Sequence, residues 1–140
     1  MKLAVDFGHT ITNDTGDQDK YRLGVLTMVP GAMQALRTIK DRGHILLLNS
    51  HRANRARRID STLDPLVRAG ITPGEENHLF HQARYRQMVD FINTQMPGIF
   101  DAIDDGLQGK VNSDWAIDNK TIQFRTWKQT MAELYKIKDF

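Results

Sequence analysis

Apolar residues along this chain form two kinds of pattern, short continuous runs and runs with helical spacing. Continuous runs end at Asp6, Asn49 and Asp118, and such runs are typical of parallel strands that are buried on both faces. Between the first two runs, apolar residues within 33–39 recur every three or four positions, as on one face of an amphipathic helix. This alternation predicts an α/β domain with a mostly parallel sheet.

The first part of the chain is predicted to fold as strand, polar loop, helix and strand. Residues 2–6 form the first strand, and the polar loop follows it. A helix then begins at Pro30, which suits a first helical position, and stops at Gly43. Residues 44–49 form the second strand.

The later part of the chain is predicted to continue the alternation. Pro65 interrupts the helical spacing of residues 59–67, which leaves one broken helix and two helices as alternatives. The further predictions are short strands at 77–81 and 99–103, a helix around 85–92 that ends before Pro97, a third principal strand within 111–119, and a closing helix around 127–135.

Length and composition indicate one globular domain over residues 1–140. The chain has 140 residues, 40% of them hydrophobic and 26% charged, which is enough for a single core. It contains no cysteine, so disulfides are excluded, and we expect a reducing, cytoplasmic location. No apolar stretch approaches the roughly 20 residues of a membrane span, so no membrane partner is expected.

Net charge is +2, and the basic residues are dense at one place only. Two interpretations of this basic run remain open: its side chains form a solvated helix face, or one or two of them face a phosphate group. The absence of a wide basic surface interleaved with aromatic residues disfavours nucleic-acid binding. The run consists of Arg52, Arg55, Arg57 and Arg58.

Three polar side chains follow the three principal strands. Asp6 and Asp118 close the first and third strands, and Ser50 comes directly after the second. Ligands of open α/β sheets collect at the carboxyl ends of the strands, where these three groups would meet. Two carboxylates suit Mg²⁺, and a hydroxyl can donate to a phosphoryl oxygen. The sequence therefore predicts a magnesium and phosphate site.

These motifs resemble the haloacid dehalogenase (HAD) superfamily of phosphotransferases, in order and spacing across essentially the whole chain. Asp6-Phe-Gly-His-Thr10 is similar to the first motif of that family, and Leu48-Asn-Ser50 to the second. Gly109-Lys110 and Asp118-Asn119 are similar to the third and fourth. Ser50-His-Arg52 also resembles the Ser/Thr-x-Arg of short, cap-poor phosphatase-like members from bacteria and phages.

The resemblance implies a Rossmann-like three-layer domain with a minimal cap, and a set of roles. It implies an aspartyl-phosphate on the nucleophile and one Mg²⁺ as cofactor. The implied residues are Asp6, Ser50 and Lys110 for catalysis, Thr10 and Arg52 for substrate binding, and Asp6, Asp118 and the carbonyl of Gly8 for the metal.

Two positions depart from the family pattern. Gly8 stands where phosphatases of the family have an acid/base aspartate, and Asn119 replaces one carboxylate of the acidic pair. A positioned acid or base contributes about 10²–10⁴-fold to rate, so slow turnover or binding alone is expected. His9 is one candidate substitute; carboxylates of the loop that holds Asp14, Asp17 and Asp19 are another. For each of these groups the alternative interpretation is a side chain that points into solvent and has no catalytic role.

Three functions remain open at this point. The leading one is a Mg²⁺-dependent phosphohydrolase that acts on a small phosphorylated metabolite or nucleotide. The second is a degenerate domain that binds Mg²⁺, phosphate or a protein partner without turnover. The third, based on the basic run, is a polynucleotide end phosphatase. With a minimal cap the site is open, which suits a small substrate with an oligomeric partner closing the site, or a large substrate.

Overall fold

The computed structural model of the chain describes residues 1–15, 23–53, 75–105, 113–118 and 122–140, and for 75–79 it describes the backbone alone. No helix within these ranges combines the length and the apolar character needed to cross a membrane. The elements in chain order are β1 (Lys2–Asp6), β2 (Thr12–Asp14), β3 (Leu26–Met28), α1 (Ala32–Asp41), β4 (Ile45–Asn49), α2 (Glu75–Gln95), β5 (Ala102–Ile103), β6 (Trp115–Asp118), β7 (Ile122–Gln123) and α3 (Trp127–Leu134).

A parallel sheet of five strands forms the centre of the described chain. Its order is β5-β4-β1-β6-β7, and every neighbouring pair is parallel. The predicted α/β class with a mostly parallel sheet is therefore confirmed, and the arrangement is compatible with a Rossmann-like fold. Because β1 lies in the middle, its Leu3 and Val5 are fully buried, as their continuous apolar run predicts.

Helix α1 is confirmed, but it begins later than predicted. Its N-cap is Gly31, in the left-handed region with φ 83°, so Pro30 lies before the cap rather than at the first helical position. At the other end Gly43 has φ 87°, and its amide donates to the carbonyl of Lys40 at 2.9 Å. Glycine stops the helix there because a side chain would strain this conformation.

The predicted polar loop after β1 contains strands. β2 and β3 pair antiparallel, with Asn13 opposite Thr27, as a separate two-stranded sheet. The prediction was wrong here because Thr12–Asp14 has no apolar alternation, and backbone bonds carry the pairing. The amide of Val29 continues it with a 2.8 Å bond to the carbonyl of Ile11.

The predicted strand at 77–81 is part of helix α2. The buried side chains of Phe80, Met88 and Ile92 lie at multiples of four residues, so they share one helix face. The helical spacing recognised around 85–92 therefore extends toward the amino terminus. The helix ends at Gln95, before Pro97, as predicted.

The carboxyl-terminal strands are shorter than predicted. The run at 99–103 forms only two residues of strand, the third principal strand is Trp115–Asp118, and the sequence did not predict β7. The closing helix is confirmed as Trp127–Leu134. It packs against α1 and β7. The predictions for Asp17, Asp19, Arg55, Arg57, Arg58, residues 59–67, Lys110 and Asn119 lie outside the described residues.

Candidate functional site

Polar residues form one row where the central strands end. Asp6 is the register partner of Asn49, and Asp118 is the partner of Gln123. Because Val5 pairs with Ile117 one position earlier, Asp6 and Asp118 share the same row on adjacent strands. Side chains in one row of a parallel sheet lie on one face, with strands about 4.8 Å apart. The row therefore reads amide, carboxylate, carboxylate, amide.

The row just before it is apolar on all five strands of the sheet. Its side chains lie on the opposite face, because alternate residues of a strand point in opposite directions. They fix the register of the strands, since a slip of one residue would exchange the two faces. This row consists of Ile103, Leu48, Val5, Ile117 and Ile122.

The carboxyl group of Asp6 is half-buried, and its Oδ1 accepts a hydrogen bond from the amide of Phe7 at 2.8 Å. Burial raises the pKa of Asp6 above its usual value, and the charge of Asp118 raises it further. The Phe7 hydrogen bond and the charges of His51 and His9 oppose this rise in pKa. Asp6 thus lies within electrostatic reach of a second carboxylate and of two imidazoles, a charge-rich environment that is typical of functional sites.

The chain leaves Asp6 through a tight turn. The Phe7 carbonyl accepts from the amides of Thr10, Ile11 and Thr12 at 3.4, 3.0 and 3.2 Å. The amide of His9 donates to the Thr12 carbonyl at 2.8 Å, and His9 has φ 59°, in the left-handed region. The turn therefore leaves the His9 side chain exposed beside the end of β1.

Gly8 has open space around it within this turn. A Cβ at Gly8 would meet no atom within 4 Å, and its φ lies outside the left-handed region. A side chain is therefore sterically tolerated here. Within the described residues, the Gly8 carbonyl accepts none of the backbone hydrogen bonds that are formed in turns and loops.

Thr10, predicted to bind substrate, is buried, with 4% of its surface exposed. Its carbonyl accepts a 2.9 Å hydrogen bond from the indole Nε1 of Trp127, which begins α3. Helix α3 thereby holds the turn that follows Asp6. Substrate binding by Thr10 stays a prediction.

Ser50 is placed beside the row by the end of β4. Its Oγ accepts from the amide of Arg52 at 3.2 Å, and its carbonyl accepts from the amide of Ala53 at 3.3 Å. These bonds begin a helical segment directly after the strand. The Arg52 bond uses a lone pair of the hydroxyl, so the Ser50 O–H hydrogen can be donated to a ligand.

The guanidinium of Arg52 is buried and turned toward the protein. Its Nη2 donates to Oδ2 of Asp14 at 2.8 Å, and its Nη1 donates to the Arg84 carbonyl at 3.1 Å and to Oε1 of Gln87 at 3.3 Å. It also lies over the Phe7 ring, 5.0 Å from the centroid. Burial and the charge of Arg84 lower the pKa of Arg52 to about 10, against the raising effect of Asp14.

This geometry gives Arg52 a structural role, because its side chain is only 5% exposed. The alternative that the basic run forms a solvated helix face is therefore wrong for Arg52. Substrate binding by Arg52 stays a prediction. Asp14 is not a solvated loop residue either. It accepts from Arg52 and, at 3.3 Å, from Nη2 of Arg84.

The predicted metal ligands are all oxygen groups, the ligand type that a small, hard cation takes. Among the described residues there is no group of three or more His, Cys, Asp or Glu side chains that could hold a metal ion. Asp6 and Asp118 offer two carboxylates, and the Gly8 carbonyl is the third predicted ligand. Mg²⁺ keeps several waters and needs few protein ligands. Burial is the main cause of the raised pKa of Asp6, and the charge of Asp118 raises it further; a bound cation would offset the repulsion between the two carboxylates.

The sequence analysis missed Asn49 and His51 as members of this site. Both flank Ser50, and the available signal was their position at the end of a predicted strand whose neighbour carries Asp6. Lys110, the predicted catalytic cation, lies outside the described residues. The structure thus brings together Asp6, Ser50 and Asp118, as predicted from the strand ends.

Comparison with known proteins leaves the site to be interpreted from its own geometry. The chain has no match among protein-family models and no significant match among curated proteins or solved structures.

The first prediction concerns Arg52. Replacing it in Arg52→Met should lower the free energy of unfolding by about 3 kcal/mol, because the half-buried carboxylate of Asp14 loses its ion pair with Arg52. Chemical denaturation measures the change. Arg37→Met, at an exposed position of α1, is the matched control and should stay within about 0.5 kcal/mol. Equal effects of the two substitutions would show that the buried ion pair does not stabilise the fold.

The second prediction concerns Asp6 and pH. Since the folded pKa of Asp6 is raised, its ionised form opposes folding, and Asp6→Asn should raise the free energy of unfolding at pH 7. Asparagine keeps an oxygen to accept from the Phe7 amide. The gain should shrink as pH falls through the pKa of Asp6, because the wild-type carboxyl then becomes neutral.

Denaturation curves for both proteins between pH 3 and pH 8 measure this difference. Asp90→Asn, on an exposed part of α2, is the control for a carboxylate away from the row. A variant Asp6→Asn that is less stable than the wild type at pH 7 would contradict the electrostatic account.

Proposed function

We propose that this protein is a Mg²⁺-dependent phosphohydrolase of the HAD type that acts on a small phosphorylated metabolite or nucleotide. The observation that carries the proposal is the row at the strand ends: Asp6 and Asp118 occupy adjacent positions on β1 and β6, and Ser50 follows β4 on the other side of β1. This arrangement supports a nucleophile, a second carboxylate and a phosphoryl-binding hydroxyl at one place.

In the first step Asp6 acts as the nucleophile. Its Oδ1 is held by the Phe7 amide, so Oδ2 attacks phosphorus and forms an acyl phosphate. The bond from phosphorus to the ester oxygen breaks, and that oxygen leaves with the electron pair and takes up a proton from solvent. The hydroxyl of Ser50 donates to a phosphoryl oxygen as negative charge develops there.

In the second step water attacks phosphorus, releases inorganic phosphate and regenerates the Asp6 carboxylate. The attacking water loses a proton, and Gly8 offers no side chain to accept it. Exposed His9 and His51 are the described imidazoles within electrostatic reach of Asp6. Asp6, Asp118 and the Gly8 carbonyl would hold Mg²⁺, which supplies charge neutralisation at the phosphoryl group when bound.

The second candidate is a domain that binds Mg²⁺ and phosphate without turnover. Gly8 favours it, because the open space around this residue holds no acid or base from its own side chain. The end-phosphatase alternative loses part of its basis, since Arg52, the first arginine of the basic run, is buried against Asp14.

The decisive experiment combines turnover and binding. Phosphate release is measured on a panel of phosphorylated metabolites and nucleotides with Mg²⁺, with Asp6→Asn as the inactive control. Calorimetry with Mg²⁺ and inorganic phosphate runs in parallel. Release that depends on Asp6 supports the hydrolase, whereas binding without release from any substrate supports the second candidate. Release that Asp6→Asn leaves unchanged would overturn the assigned nucleophile.

The third prediction places a carboxylate at Gly8. Because a Cβ at this position meets nothing within 4 Å and φ is unrestricting, Gly8→Asp should fold and raise kcat by up to about 10²–10⁴-fold. Gly8→Ala is the matched control, since it changes the backbone in the same way and adds no acid. A wild type with ordinary turnover, and no gain in Gly8→Asp, would mean that another residue already transfers the proton.

The fourth prediction concerns the second carboxylate. Asp118→Asn should weaken Mg²⁺ binding by more than about tenfold, because it removes a charged ligand. The fold should be retained, since the substitution also removes repulsion from Asp6. Mg²⁺ titration by calorimetry measures the affinity, with Asp90→Asn as the control. Undiminished Mg²⁺ affinity in Asp118→Asn would refute the metal assignment.

A further inference from the structure

Asn49 lies directly beside the proposed nucleophile. It is the register partner of Asp6 in the parallel pair β1 and β4, so both side chains lie on the same face of the sheet at a spacing of about 4.8 Å. The next residue along the chain is Ser50, whose hydroxyl is at the same edge. Asn49 is thus a neighbour of both groups: it pairs with Asp6 across the sheet and precedes Ser50 along the chain.

The amide of Asn49 is available to a ligand. The side chain is half-buried, and within the described residues it makes no hydrogen bond to the protein. An amide carries two N–H donors and one acceptor oxygen. A half-buried amide with no protein partner, next to a carboxylate, favours turning its NH₂ group toward negative charge.

We propose that the side-chain amide of Asn49 binds a phosphoryl oxygen of the substrate while phosphorus is held at Asp6. This assignment rests on the proposed function and adds a substrate-binding residue to that site. A neutral donor suits the position, because Asp6 and Asp118 already place two carboxylates in the row. Asn49 and Ser50 would then contact the phosphoryl group from the β4 side of Asp6, opposite Asp118.

Gln123 provides an internal comparison. It carries the same amide and lies in the same row, but as the register partner of Asp118 on the outer strand β7. Gln123 lies two strand positions away from Asp6, with β6 between them, so its exposed amide is at about twice the distance of Asn49 from the nucleophile. The proposal therefore predicts different effects for the same substitution at the two ends of the row.

The experiment compares Asn49→Leu with Gln123→Leu in the full chain. Leucine has the same number of side-chain heavy atoms and the same branching as asparagine, but it has no hydrogen-bond donor. Asn49→Leu should weaken the binding of inorganic phosphate in the presence of Mg²⁺ by about tenfold or more, and lower kcat by up to about 10²–10³-fold, the effect of removing one positioned donor. Mg²⁺ affinity should be unchanged, because Asn49 is not a metal ligand. Gln123→Leu should leave phosphate binding and kcat as in the wild type.

A second variant keeps the test decisive if Asn49→Leu fails to fold. Asn49→Asp preserves size and polarity but adds a third negative charge beside Asp6, so it should bind phosphate more weakly still. The assignment is overturned if the wild type binds phosphate and turns over substrate while a folded Asn49 variant does so equally well. If the wild type neither binds phosphate nor releases it, both this assignment and the proposed function fail.

Discussion

The buried guanidinium of Arg52 is the interaction on which the rest of the site depends. A charge taken out of water is tolerated only where hydrogen-bond acceptors meet it, and here they come from separate elements. Asp14 comes from the β2–β3 hairpin, and Gln87 and the Arg84 carbonyl come from α2. The ring of Phe7, directly after Asp6, covers the guanidinium. Because each contact is directional, the hairpin, α2 and the ends of β1 and β4 are held in one relative position.

The polar row at the strand ends, in contrast to the Arg52 contacts, destabilises the fold. Asp6 is partly buried beside Asp118, and its pKa is raised because burial and like charge both oppose ionisation. The side chain of Asn49, in the same row, makes no hydrogen bond within the described chain. Natural proteins commonly accept such local costs where a ligand has to be met. The apolar row just before it, which includes Val5 and Ile117, and the Arg52 contacts provide the stability that makes this cost tolerable.

The sequence predicted the central sheet well, because a run such as Leu46–Leu48 is apolar whichever face is considered. It failed where long-range contacts decide the structure. The segment at 77–81 resembles a strand by itself, and only the buried face shared by Phe80 and Met88 shows that it is helical. The same limit applies to the site. Its strand-end residues follow from local pattern, whereas the pairing of Asp14 with Arg52 joins positions 38 residues apart, and no local pattern encodes it.

The hydrogen bond between Trp127 and the carbonyl of Thr10 gives the protein a built-in optical probe. Indole emission depends on the hydrogen bonding and polarity around Nε1, and this Nε1 is bonded to the turn that carries Gly8 and His9. The chain has one other tryptophan, Trp115, at the start of β6, at the far end of that strand from Asp118. With Trp115 replaced by phenylalanine, the fluorescence of the remaining indole would report movements of the turn in real time and without a label.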